Sequence, residues 1–109
     1  MQIDRERALR ELEISGEMLD ELLGIFIEQT GAALQEIVGA INVNNHQEIG
    51  ESAHFIKGSA GNLRMEGIRA LAQEIESGVE KNQDISIIKA NVEKLKAAFE
   101  EVKKEVGCG

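Results

Sequence analysis

The chain has no proline, no tryptophan and no tyrosine, and only one cysteine and two histidines among 109 residues. Ala, Leu, Ile, Glu, Lys and Gln dominate what remains, a helical composition with nothing to suggest a sheet of any size. The single cysteine, Cys108, lies in a Gly107-Cys108-Gly109 tail without a partner, which excludes an internal disulfide. A frayed terminus accounts for it better than a reactive thiol, and residues 107–109 are expected to be disordered. Basic residues are also short, 12 against 20 acidic ones, for a formal charge of −8. Nucleic acid asks for a basic face, and an anionic membrane surface does too, so neither is expected as a partner. No apolar run approaches the ~20 residues of a membrane span, and the N-terminus lacks the apolar core of a signal peptide. The expectation is a soluble, cytoplasmic, monomeric protein with one domain over residues 1–109 and a single core.

What is present is helical periodicity. A short amphipathic segment covers about Asp4 to Leu12, with Asp4 as N-cap, before Ser15-Gly16 breaks the pattern. From about Glu17 to Val43, apolar residues from Leu19 to Ile41 keep helical spacing, with Gly31 a place for a bend. Asn42-Val43-Asn44-Asn45 is a turn, and Asn45 with Glu48 forms a capping box for a helix from about His46 to Leu63. Its seam is Ile49, Ala53, Ile56, Ala60 and Leu63. A further helix spans about Glu66 to Lys81 with Ile68, Leu71, Ala72, Ile75 and Val79 inward. Asp84 caps a last one reaching about Val106. The fold class is all-α: an antiparallel four-helix bundle with a short additional N-terminal helix.

One stretch carries chemistry. Within Ala53-His54-Phe55-Ile56-Lys57-Gly58-Ser59-Ala60-Gly61-Asn62-Leu63, Lys57, Gly58 and Gly61 follow His54 at offsets that share one helix face. Two glycines inside a helix cost roughly 1 kcal/mol each. Their presence beside a histidine suggests access to the imidazole, so that another protein's active site can close over it. If the two central helices form a hairpin turning near Met65, facing residues sum to about 130, which sets His54 opposite Glu76. That carboxylate would accept the Nδ1 proton and leave Nε2 free, the tautomer a nucleophile needs. Gln73, one turn back, would assist or replace it, and the Lys57 ammonium would sit near an incoming phosphoryl group. The plainer alternatives are an ordinary surface histidine, lysine and glutamate. His46 has no such company and reads as solvated. Glu51-Ser52-Ala53-His54 is a Glu-x-x-His unit, but a di-metal bundle needs two. His46 and His54 lie ~80° apart in azimuth and ~12 Å apart along the axis, so no metal site is expected.

The same stretch, continued through Ile68, Leu71 and Ile75-Glu76, resembles the histidine-containing phosphotransfer (HPt) domain family, whose hallmark is His-x-x-Lys-Gly-Ser/Ala. The resemblance extends weakly to Phe26-Ile27-Glu28-Gln29-Thr30. It implies that His54 is the phosphoacceptor at Nε2, that Lys57 and Gly58 match the family's pair, and that Glu76 matches the Gln/Glu touching the imidazole. The family usually has glycine where Arg64 stands. A left-handed arginine there costs roughly 1–2 kcal/mol, so the turn is expected to be built differently, with Gly67 sharing the role. The implied activity is phosphoryl transfer between aspartates of response-regulator receiver domains, or from a hybrid histidine kinase, in a two-component phosphorelay. The protein would bind no cofactor of its own, and the receiver would supply Mg²⁺. With no glycine-rich phosphate loop and no acidic Mg²⁺ cluster in the sequence, no kinase activity is expected. Two alternatives stay open: the phosphoacceptor domain of a chemotaxis-type histidine kinase, and a non-catalytic interaction bundle.

Overall fold

The computed structural model describes residues 1–107, which form five helices and no strand. They are α1 (Arg5–Leu12), α2 (Gly16–Asn42), α3 (His46–Asn62), α4 (Glu66–Glu80) and α5 (Ile85–Gly107). Gly107 is therefore helical, not part of a disordered tail; Cys108 and Gly109 lie outside the described residues. Four helices begin where a short polar side chain takes up a free backbone amide, α5 among them, with Asp84 accepting from the Ser86 amide at 3.1 Å. Asp4 accepts from the Arg7 amide at 3.1 Å, Ser15 from Met18 at 3.1 Å, and Asn45 from Glu48 at 3.2 Å. The expected capping box is modified, because the Glu48 carboxylate accepts from the Asn45 side-chain amide at 3.4 Å. Met65, at the start of α4, makes no side-chain cap and is instead fully buried.

Helices α2, α3, α4 and α5 pack in a ring of neighbours, with α3 and α5, and likewise α2 and α4, on opposite corners. The bundle measures 42 × 22 × 19 Å. The α3 seam of Ile49, Ala53, Ile56, Ala60 and Leu63 is buried throughout, as are Ile88, Val92, Leu95, Phe99 and Val102 on α5. On α4, Ile68, Ala72 and Ile75 are buried, whereas Leu71 and Val79 are half-buried. Burying one Ile or Leu gives roughly 1.5–3 kcal/mol, more than the ~1 kcal/mol a helical glycine costs. That margin lets α3 carry Gly50, Gly58 and Gly61 and stay helical. Helix α2 runs unbroken through Gly31, which faces the Phe99 ring: a Cβ there would lie 3.7 Å from Cζ.

The three loops of the bundle use one construction. Asn44, Arg64 and Asn82 adopt φ of 56°, 61° and 54°. In each loop the next residue's amide reaches back five residues, from Asn45 to Ala40, Met65 to Ala60 and Gln83 to Gly78, at 2.8–2.9 Å. The turn after α3 is thus the ordinary left-handed one with arginine in the glycine's place. No glycine among the described residues has positive φ, and Gly67 lies in the first turn of α4, so the expectation that it shares the role is wrong. The strain at Arg64 is met by its guanidinium, which donates to the carbonyls of Gly61 and Asn62, both at 3.2 Å, and to Glu11 at 2.7 Å. Arg7 also holds Glu11, at 2.9 Å, so α1 is fixed to the α3–α4 turn.

Candidate functional site

Helices α3 and α4 make the most extensive helix pairing in the molecule. The buried turn at Met65 sets their register, and the seam keeps the His54 edge turned outward. Gly50 allows the close approach: a Cβ on it would stand 3.3 Å from Val79 Cγ1, tighter than side chains ordinarily pack. Val79 lies one turn beyond Glu76, so this contact helps bring the Glu76 carboxylate within reach of α3.

There the two carboxylate oxygens divide their partners. Oε2 lies 2.7 Å from His54 Nδ1, and Oε1 accepts from Lys57 Nζ at 2.6 Å. The Glu76 side chain is only 15 % exposed, Lys57 25 % and His54 66 %. The Lys57 hydrogen bond, helped by His54 and opposed by burial, holds the Glu76 carboxyl below its ordinary 4.5. An ionised carboxylate can only accept, so Nδ1 is the nitrogen that carries a proton toward Glu76, and Nε2 is the ring nitrogen on the far side. A shallow pocket of about 330 Å³ adjoins the ring, lined in part by Gly50, Glu51, Glu76 and Val79.

The structure therefore brings His54, Lys57 and Glu76 together, with one change of emphasis: Lys57 is committed to Glu76. Gln73 is exposed and makes no hydrogen bond to His54 among the described residues, so it neither assists nor replaces Glu76. Gly58 is open, with nothing within 4 Å of where its Cβ would stand. Gly61 is not: the Arg69 side chain lies 3.4 Å from its Cβ position, so it does not extend the bare surface. His46 is half-buried rather than solvated. Sequence reasoning missed Gly50 and Phe55. Gly50 precedes His54 by the same four residues by which Gly58 follows it, a signal that was available. Phe55, beside the histidine, is 44 % exposed. Among the described residues no three His, Cys, Asp or Glu side chains gather in a way that could hold a metal ion, and no helix is long and apolar enough to cross a membrane.

Residues 21–105 match the family model of the Hpt domain. No curated protein matches the chain. Among solved structures, it is similar to the crystal structure of histidine-containing phosphotransfer protein B (HptB) from Pseudomonas aeruginosa PAO1. The TM-score is 0.86 at 20% sequence identity, over 97% of this chain and 91% of that one. At that identity the likeness speaks for a shared fold.

Proposed function

The chain belongs to the Hpt domain family, and on that premise we propose that His54 accepts a phosphoryl group from the aspartate of one receiver domain and passes it to another. The observation that carries this is the 2.7 Å contact between Glu76 and Nδ1 of an imidazole that is two-thirds exposed. Nε2 attacks phosphorus in line; the N–P bond forms as the P–O bond to the receiver's aspartate breaks, and that carboxylate leaves. The Nδ1 proton stays on the ring, and the ionised Glu76 offsets the positive charge that phosphorylation develops there. Return transfer reverses these bonds. Lys57 acts by fixing Glu76, and Gly58 keeps the approach clear. The receiver is expected to bring Mg²⁺.

The chain has no glycine-rich phosphate loop, and on this reading it is a carrier without kinase activity of its own. The test is transfer from a radiolabelled phosphoreceiver to the parent protein and to His54→Gln. The variant should keep its helical circular dichroism and take up no label; label retained by His54→Gln would defeat the assignment. Label acquired from a kinase and ATP but from no receiver would favour the phosphoacceptor domain of a chemotaxis-type kinase.

A further inference from the structure

The shallow pocket against the His54 ring is walled by three carboxylates, Glu51, Glu76 and Glu80, and by no lysine or arginine. Glu51 precedes His54 by three residues on α3, and Glu80 follows Glu76 by four on α4. Side chains at those spacings are neighbours, about 5–6 Å apart at Cβ. Glu51 therefore stands one turn from the imidazole on its own helix, and Glu80 one turn from the carboxylate that holds it.

The three charges do not count alike. Lys57 Nζ lies 2.6 Å from Glu76 and offsets it. Glu51 and Glu80 are exposed, and among the described residues neither has a lysine, arginine or histidine nitrogen within 4 Å. Other surface acids also lack a partner; what sets this pair apart is its place beside the ring to which phosphorus bonds. A phosphoryl group brings up to about two negative charges. In water, two unit charges one helical turn apart shift an equilibrium by roughly threefold, more for a doubly charged group and less as salt screens them. The unmodified imidazole has no such charge to repel. The pair thus raises the free energy of the phosphorylated ring and leaves the free ring comparatively untouched.

We propose that Glu51 and Glu80 raise the phosphoryl-transfer potential of phosphorylated His54, so that the group comes to rest on the receiver's aspartate and not on this protein. The proposal rests on the phosphorelay reading above. In the step it favours, the Nε2–P bond breaks as a carboxylate oxygen of the receiver bonds phosphorus. The Nδ1 proton stays on the ring, and the phosphoryl charge leaves the two carboxylates behind. Delivery, not storage, is the work this assigns to the chain.

The measurement is an equilibrium ratio, into which docking affinity does not enter. A receiver domain of the source genome is charged with radiolabelled acetyl phosphate, freed of excess, and mixed with the parent protein or a variant until the ratio of label on the two partners is constant. Glu51→Gln/Glu80→Gln should move that ratio about tenfold toward His54 at low salt, with the shift shrinking as salt is raised. Glu51→Asp/Glu80→Asp keeps the charge, and Glu93→Gln/Glu100→Gln removes as much of it from α5, at the far corner; both should stay within about twofold of the parent. An unmoved ratio in the first variant overturns the proposal, and so does an equal shift in either of the others. A changed transfer rate with the ratio unmoved overturns it too, since the pair would then serve docking. Should no receiver label the parent protein, the phosphorelay reading itself falls, and this proposal with it.

Discussion

Glu76 holds the His54 ring with one oxygen and the Lys57 ammonium with the other, so Lys57 bears on the imidazole without touching it. Its effect is readable in acid. Because Lys57 depresses the native Glu76 pKa below 4.5, the carboxylate contributes stability above that pH. That share is lost as pH falls through the native value. Lys57→Met removes the cause, so the variant should be less stable by about 1 kcal/mol at neutral pH. The gap should close as acid protonates Glu76 in both proteins. Urea midpoints measured between pH 7 and pH 3 check this, and a gap that persists at low pH would show that packing, not charge, is what Lys57 supplies.

Among the helices, glycines divide by what stands opposite. A Cβ at Gly31 would meet Phe99 at an ordinary 3.7 Å, and one at Gly58 would meet nothing. Gly31→Ala should therefore raise stability by roughly 0.5–1 kcal/mol and leave phosphoryl transfer alone. Gly58→Leu should also be at least as stable as the parent, yet transfer should fall steeply because the side chain fills the approach to Nε2. Thermal unfolding with the transfer assay separates the two; unimpaired transfer by Gly58→Leu removes the access argument. Periodicity made this level of the fold legible. The α3 seam and the His54–Glu76 pairing follow from helical spacing and a hairpin turning near Met65. What escaped depended on a second helix's azimuth. Gly61 shares a face with Gly58 in sequence, but Arg69 of α4 covers it, and Gln73, one turn from Glu76, is exposed and makes no hydrogen bond to His54 among the described residues.

For the molecule as a whole, Arg64 joins parts remote in sequence. It adopts φ of 61° and binds the last carbonyls of α3 and the Glu11 carboxylate of α1 together. Sequence alone exposes the strain and not its compensation, since nothing local places Glu11 within 2.7 Å. Arg64→Ala loses those bonds and keeps the unfavourable φ, whereas Arg64→Gly loses the bonds and relieves the φ. Both should destabilise, alanine the more by about 1 kcal/mol. Chemical denaturation gives the order, and a glycine variant less stable than the alanine one would contradict it.

Because α5 stands at the corner diagonal to α3, the molecule has a blind side. A fluorophore, a surface linker or a fused protein attached along the outer face of α5 would never stand in a visitor's way at His54. The bundle can therefore be tethered or tracked while it exchanges phosphate, and changes to that face are free to accumulate without reaching the chemistry.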